Sequence, residues 1–176
     1  DQRGHGLSLA EADHTKLKSW KQFSKEAISF LNSLDHESVD LMGHSMGGIV
    51  ASEVASQLKL KVQNLIMLEP VLYYAPKDVI KLKLKNFLKF DDLSASNKSS
   101  SAKQRRNNFA SFEEAIEHFT GRAMFASWPE ESIMNYLEGG LVKKEGSFFL
   151  SCDPAWEAKT FAVSYTHLTL PTIYSV

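Results

Sequence analysis

Apolar positions along the first 70 residues alternate between helical and strand spacing. They recur every three to four residues over 16–34 and again over 47–60, which predicts two amphipathic helices. A short strand is predicted at 39–42. The mostly apolar run at 62–68 is typical of a strand buried on both faces of a parallel sheet. The order helix, strand, helix, strand predicts an α/β layer architecture.

The alternation stops after Pro70. The spacing of apolar residues over 77–90 predicts a helix, although the stretch KLKLK also suits a strand. Residues 94–108 are rich in Ser, Asn, Lys and Arg, which predicts a loop. A hairpin is predicted at 141–152, around the turn Lys144-Glu145-Gly146. We interpret 71–150 as a mostly helical insertion that caps one end of the sheet.

Helix termini in the second half carry recognisable capping signals. Ser111 with Glu114 predicts a capping box at the start of a helix over 112–119. Ser127 is a candidate cap for a helix over 129–137 that Gly139-Gly140 would end. Asp153 is the predicted cap of a last helix from Pro154.

Composition narrows the class of partners. The net charge is −1, which gives no overall attraction to nucleic acid or to an anionic membrane. No apolar run is long enough to span a bilayer. Cys152 is the single cysteine, so no internal disulfide forms, and a cytoplasmic location is favoured over an oxidising one. The sequence does not indicate an oligomeric state.

The run Gly43-His44-Ser45-Met46-Gly47-Gly48 joins the predicted strand to the second helix. A serine hydroxyl is a weak nucleophile and needs an exposed, activated position. A tight strand-to-helix turn supplies that position, with glycines at 43 and 47 because a Cβ there would collide with the neighbouring backbone. The N–H of Met46 would lie at the helix N-terminus, where negative charge is favoured. The alternative is a glycine-rich turn in which Ser45 only caps the helix.

Three stretches, DQRGHGLS at the start of the chain, then VDLMGHSMGG, then VQNLIMLEPVL, resemble the α/β-hydrolase superfamily in their order and spacing. A weaker resemblance to esterase-like members covers WPEESIMNYLEGGL and FFLSCDPAWEAKTF. The resemblance implies an α/β-hydrolase fold with a partial parallel sheet and a helical cap insertion. It divides the chain into a partial core at 1–70, a cap at 71–150 and a return to the core at 151–162.

The same resemblance implies site roles. Ser45 would be the nucleophile on the elbow after the family's fifth strand, and the Met46 N–H one oxyanion donor. Gly43, His44, Gly47 and Gly48 would shape the elbow. His5 and Glu69 would line the pocket, and Glu69 stands where some members carry the catalytic acid.

The remaining catalytic parts are expected outside the chain. The family's acid and histidine follow in the order Ser, acid, His, beyond Ala162, and the second oxyanion donor precedes Asp1. Residues 163–176, VSYTHLTLPTIYSV, can be encoded by a transposon-type sequencing adapter, so we expect an artefactual tail and an internal fragment. Such a fragment would be inactive and unstable alone, because its sheet would have open edges.

These observations predict a serine hydrolase acting on a carboxylic ester or a related acyl bond of a small-molecule substrate. No cofactor is implied, because the sequence has no metal-ligand spacing, no phosphate-cradling loop and no nucleotide fingerprint. The alternative is a non-catalytic hydrolase-fold protein that binds a small apolar ligand. The presence of a downstream histidine would discriminate between the two.

Overall fold

The computed structural model describes residues 1–71 and 101–164. The chain divides into two compact units, one formed by Asp1–Asp13 with Ser100–Ala158 and the other by His14–Ser99 with Lys159–Val176. The first thirteen residues therefore group with the second half of the chain. The domain limits proposed from the sequence, at 70, 150 and 162, stay predictions.

The second unit has the predicted order of helix, strand, helix and strand. Its elements are α1 (Lys21–Leu31), β1 (Ser38–His44), α2 (Met46–Gln57) and β2 (Lys61–Leu68). The two strands pair in parallel, and His44 lies opposite Leu68 at the end of the register. The α/β character is confirmed, and the helices and the sheet bury a small core of Leu17, Trp20, Phe23, Ile49 and Val54.

The prediction that residues 62–68 are buried on both faces is wrong. Seven of the eight residues of β2 are exposed, and the exposed fractions of Ile66 and Leu68 are 48% and 49%. A parallel strand is buried when strands flank it and helices cover both faces. Within the described residues β2 pairs with β1 alone, so its apolar side chains stay accessible.

The first unit contains more sheet than the sequence predicted. Its elements are β3 (Asn108–Phe109), α3 (Phe112–Phe119), a 3-10 helix (Ala123–Phe125), α4 (Glu130–Gly140), β4 (Leu141–Lys144) and β5 (Ser147–Leu150), and α5 (Pro154–Ala162) begins in it. The strands form an antiparallel sheet in the order β3, β5, β4. Its core is a cluster of Phe109, Ala115, Phe119, Phe125, Ile133 and Leu137.

The predicted hairpin is confirmed, with its turn at Glu145 and Gly146. Both residues have positive φ, 50° and 85°. Two such residues in succession give the turn whose twist matches that of the flanking strands. Glycine supplies this conformation at no steric cost, which is why the turn could be predicted locally.

Two of the three predicted helix caps are confirmed. Ser111 Oγ accepts the N–H of Glu114 at 3.1 Å. Asp153 Oδ1 accepts the N–H groups of Ala155 and Trp156 at 2.8 and 3.2 Å. The prediction for Ser127 is wrong: α4 starts at Glu130 with Pro129 in the capping position, so the Ser127 hydroxyl lies two residues too early.

Some predictions lie partly or wholly outside the described residues, namely the helix at 77–90, residues 94–100 of the loop at 94–108 and residues 165–176 of the tail at 163–176. Gly139 and Gly140 form the last turn of α4 rather than following it, because Leu141 turns directly into β4. In the part of the chain that the structure describes, no helix has the length and apolar character needed to cross a membrane.

Candidate active site

Ser45 is the single residue between β1 and α2. Its backbone angles are φ 53° and ψ −115°, a conformation that residues other than glycine rarely adopt. Its N–H donates to the carbonyl oxygen of Leu68 at 2.9 Å, which ties the turn to the end of β2. Strained backbone of this kind costs about 1–3 kcal/mol and persists where the surroundings impose it.

The Ser45 hydroxyl does not cap the helix that follows it. Ser45 occupies the N-cap position of α2, yet its side chain makes no capping hydrogen bond. The N-terminal N–H groups of a helix carry partial positive charge. The first turn of α2, starting with Met46, therefore presents donors beside a half-buried hydroxyl, and the interpretation of Ser45 as a mere cap loses its support.

The glycines around Ser45 are not equally constrained. A Cβ on Gly43 would lie 2.1 Å from the carbonyl oxygen of Gly47, so no side chain fits there. A Cβ on Gly48 would lie 3.2 Å from the Gly43 oxygen and 3.2 Å from Pro70 Cβ. A Cβ on Gly47 meets nothing within 4 Å among the described residues, so the steric reason predicted for that glycine is not found.

Glu69 lies beside Ser45 at the same edge of the sheet. His44 and Leu68 are paired at the ends of their strands, so Ser45 and Glu69 are the residues that directly follow the two strands. Glu69 is exposed and also has a positive φ of 43°. His44 is exposed at the end of β1. The structure thus brings Ser45, Met46, His44 and Glu69 together around the carboxyl ends of two parallel strands.

His5 belongs to the first unit, in a loop built on glycines with positive φ. Its Nδ1 lies 3.0 Å from the carbonyl oxygen of Arg3. The same ring nitrogen lies 3.3 Å from Nε2 of Gln2. A Cβ on Gly6 would lie 2.4 Å from the carboxylate of Asp1, which itself accepts the N–H of Leu7 at 2.7 Å.

His5 lines a cavity of about 380 Å³ within the first unit. Arg105 and Glu157 form an ion pair in its wall, at 2.8 Å. Burial raises the pKa of the Tyr136 phenol and, with help from Glu157 and Asp153, raises the pKa of the Cys152 thiol to about 12. Sequence reasoning missed this group, because its members come from four separate stretches of the chain and no local motif joins them.

No cluster of three or more His, Cys, Asp or Glu side chains able to hold a metal ion occurs in residues 1–71 and 101–164. The groups described around Ser45 are hydroxyl, imidazole, carboxylate and backbone N–H. These are the groups of proton-transfer and acyl-transfer chemistry.

Comparison with solved structures gives α/β-hydrolases. E-2-(acetamidomethylene)succinate hydrolase superposes with a TM-score of 0.63 and 18% identity over 93% of this chain and 53% of its own. An α/β-hydrolase from Novosphingobium aromaticivorans gives 0.63 and 15%, over 89% of this chain and 50% of its own. The peroxisomal α/β-hydrolase Lpx1 from Saccharomyces cerevisiae gives 0.62 and 19%, over 96% of this chain and 47% of its own.

The chain therefore spans about half the length of the solved structures that it resembles. At these identities the likeness confirms the α/β-hydrolase fold. No curated protein matches the sequence. The family model described as serine aminopeptidase, S33, matches residues 1–131, which is most of the chain. The chain belongs to this S33 family of α/β-hydrolases.

Proposed function

We propose that this chain is part of a serine hydrolase that cleaves a carboxylic ester or a related acyl bond, with Ser45 as the nucleophile. The observation that carries the proposal is the conformation of Ser45. Its hydroxyl stands at the tip of a strained turn, makes no capping bond and adjoins the N-terminus of α2. A serine held at this cost in backbone strain is typical of a functional position.

The mechanism follows from the placement of these groups. Ser45 Oγ would add to the acyl carbonyl and form a tetrahedral intermediate with a negatively charged oxygen. The Met46 N–H, at the positive end of α2, would donate to that oxygen. Collapse would expel the leaving group and give an acyl-enzyme, which water hydrolyses. The resemblance implies that a histidine later in chain order takes the Ser45 proton and returns it to the leaving group, with an acid orienting that histidine. Ser45 and Met46 are therefore the residues of this chain to which we give catalytic roles.

The mechanism alone does not separate ester from amide substrates, because both pass through the same kind of tetrahedral intermediate. The matched family is described as a serine aminopeptidase, which cleaves amides. The resemblance in the cap sequence favours esters. A carboxylic ester remains our first choice, since its alkoxide leaves without the proton that an amine leaving group requires.

A fluorophosphonate probe tests the nucleophile, because it phosphonylates an activated serine and mimics the tetrahedral intermediate. In the full-length protein, which includes the base, we expect labelling of the peptide that contains Ser45, and a loss of about 10³-fold or more in the labelling rate of the Ser45→Ala variant. Ser56→Ala is the matched control, since Ser56 lies on α2 and its hydroxyl donates to the Glu53 carbonyl of the same helix at 2.8 Å.

Equal labelling of wild type and Ser45→Ala would refute the assignment. Absence of labelling from the folded full-length protein would favour the alternative, a hydrolase-fold protein that binds a small apolar ligand without turnover. Mass spectrometry of the labelled peptides shows whether the probe is attached to Ser45 or to other serines.

A further inference from the structure

We propose that the cavity of the first unit, the one lined by His5, binds a neutral molecule that carries several hydroxyl groups, such as a monosaccharide. Its volume of about 380 Å³ lies in the range of about 300–1,000 Å³ that is usual for small-molecule sites. The role proposed for Ser45 is not required for this binding. Three properties of the cavity wall indicate the ligand: its charge, its hydrogen-bonding groups and its aromatic side.

The charges of the ion pair in the wall cancel. Arg105 Nη1 donates to both carboxylate oxygens of Glu157, at 2.9 and 2.8 Å, and the two side chains are 34% and 21% exposed. Burial raises the pKa of the Tyr136 phenol and of the Cys152 thiol, so both stay protonated near neutral pH. A charged ligand would lose part of its hydration and meet an ion pair that is already neutral. The wall therefore favours a ligand without net charge.

The hydrogen-bonding groups of the wall include both donors and acceptors. A guanidinium has five N–H groups, and the bonds to Glu157 use Nη1 alone, so Arg105 retains donors for a ligand. Within residues 1–71 and 101–164, no hydrogen bond engages the hydroxyl of Tyr136 or of Ser151, and each can donate and accept. A ligand hydroxyl also does both, whereas an ammonium group only donates and a carboxylate only accepts. A molecule with several hydroxyls therefore matches this wall.

One side of the cavity is the ring of Tyr136, which neighbouring rings hold in place. Phe125 lies at a centroid distance of 5.0 Å from it, Trp128 at 6.0 Å and Phe119 at 6.3 Å. Tyr136 is still 40% exposed, so its ring has surface left for a ligand. The C–H face of a sugar ring is apolar and can pack on an aromatic ring while the hydroxyls reach polar groups at its edge. A cyclic sugar is therefore preferred to an open-chain polyol, which has no such face.

Cys152 lies in the same wall and reports binding, because a ligand in the cavity would shield its thiol from alkylation. The full-length protein is titrated with methyl glucoside at about pH 9, where the thiol reacts measurably. Mass spectrometry of the Cys152 peptide gives the rate of its reaction with iodoacetamide. We expect a millimolar dissociation constant, and a rate about tenfold lower when the glucoside is present at about ten times that constant.

Two related molecules test the chemistry of the ligand. Methyl glucuronide has the same ring with a carboxylate in place of one hydroxymethyl group, and cyclohexanol has a ring of the same size with a single hydroxyl. We expect each to need at least about tenfold higher concentration than methyl glucoside for the same protection of Cys152. The first lacks an unpaired positive charge to meet, and the second lacks the set of hydroxyls.

Gly139→Leu should block the cavity without crowding its wall. A Cβ at Gly139 would meet nothing within 4 Å among the described residues, and leucine is a better helix former than glycine. Asn135→Leu is the matched control, because it places a leucine at an exposed position of α4 outside the cavity wall. We expect methyl glucoside to protect Cys152 in Asn135→Leu as in the wild type, and by less than about twofold in Gly139→Leu. Melting temperatures show whether both variants are folded.

Glu157→Gln tests the charge argument, because it keeps the shape of the side chain and leaves Arg105 unpaired. In this variant we expect methyl glucuronide to protect Cys152 more strongly than methyl glucoside does. The two ligands are compared within each variant, since the Glu157 charge itself raises the pKa of Cys152. Glu117→Gln, an exposed position on α3, should keep the order of the wild type.

Any of four results would overturn the proposal. They are an unprotected Cys152 in the wild type with methyl glucoside, equal protection by methyl glucuronide or cyclohexanol, full protection in Gly139→Leu, and an unchanged order of the two sugars in a folded Glu157→Gln variant. Labelling of Ser45 by a fluorophosphonate bears on none of them, so the two proposals succeed or fail separately.

Discussion

Position 43 has no room for a side chain, whereas position 47 has. An alanine Cβ at Gly43 would lie 2.1 Å from the Gly47 oxygen, a separation that backbone movement must relieve. We expect Gly43→Ala to lower the free energy of unfolding by about 1–3 kcal/mol or more. Gly47→Ala, at a helical position, should leave it unchanged or raise it by up to about 1 kcal/mol.

Urea titrations followed by circular dichroism measure both variants. If Gly47→Ala destabilises the protein as strongly as Gly43→Ala, some group outside the described residues must contact position 47. If Gly43→Ala is harmless, the turn around Ser45 is looser than the close approach of Gly43 to Gly47 indicates.

Cys152 should be an unreactive thiol. Its pKa is raised to about 12, chiefly by burial, so little thiolate exists near neutral pH. At pH 8 we expect its reaction with iodoacetamide to be about 10²–10³-fold slower than that of a free cysteine, and to accelerate about tenfold per pH unit. Unfolding in urea should abolish the difference, and an equally fast reaction in the folded protein would contradict the burial of the thiol.

The same pKa gives a stability trend of fixed sign. Between the ordinary value of 9.0 and about 12, the unfolded thiol loses its proton while the folded one keeps it. The contribution of Cys152 to stability is therefore complete below pH 9 and is lost as the pH rises through that window. A Cys152→Ser variant should show a flatter decline in melting temperature above pH 9.

At the scale of single residues, the sequence predicted what is encoded locally. The glycines around Ser45 predict the tight turn there, and Glu145-Gly146 predicts the turn of the hairpin. The neighbourhood of Glu69 was predicted from the resemblance, but its anchoring by Leu68 and Pro70 was not. That anchoring depends on strand register, which no short stretch of sequence specifies.

Among the elements, α3 and α4 offer a matched test of capping. Ser111 Oγ accepts the Glu114 N–H at the start of α3, whereas α4 has no side-chain cap. We expect Ser111→Ala to cost about 1 kcal/mol of stability and Ser127→Ala to cost nothing measurable. Thermal or urea unfolding of the two variants decides, and an equal loss would mean that Ser127 has a structural role that the described contacts do not include.

The α3 terminus also predicts a pH dependence. The hydrogen bond from the Arg106 guanidinium is the main cause, and the one from the Ala110 N–H the next, of a Glu114 pKa below its ordinary value of 4.5. A carboxyl whose pKa is lower in the folded protein than in the unfolded chain stabilises the fold at pH values above its unfolded pKa. This contribution disappears as the pH falls through its folded pKa. The stability of Glu114→Gln should therefore decline less than that of the wild type when the pH is lowered from about 5 to 3. Parallel declines would contradict this.

Element prediction succeeded where side chains act on their own backbone and failed where partners are distant. The order of α1, β1, α2 and β2 follows from local periodicity, and the caps at Ser111 and Asp153 from residue type. β3 was not predicted, and its first residue, Asn108, ends the stretch predicted as loop, because the strand is only two residues long and is defined by its pairing with β5. The start of α4 was predicted within one residue, but its capping residue was not, because Pro129 rather than Ser127 directly precedes the helix.

For the molecule as a whole, the division into two units could not be predicted from order along the chain. The loop at 1–13 groups with residues 100–158, more than eighty positions away. Gly4 gives one physical reason, since a Cβ there would lie 2.4 Å from the indole of Trp156. Such a contact joins segments that have no shared periodicity or motif, and only the folded chain brings them together.

The two units should differ in the protection of their backbone. In the first, α3 and α4 surround a core in which Ala115, Ile133 and Leu137 are 0% exposed. In the second, β2 leaves Ile66 and Leu68 about half exposed within the described residues, at 48% and 49%. Opening a segment costs less when it uncovers less apolar surface.

We therefore expect hydrogen exchange in β2 to be at least about tenfold faster than in the buried turns of α4. Ile133→Ala should accelerate exchange in α3 and α4, because it leaves a cavity in their shared core. Slower exchange in β2 than in α4 would mean that its apolar side chains are covered in solution by something other than β1 and α2.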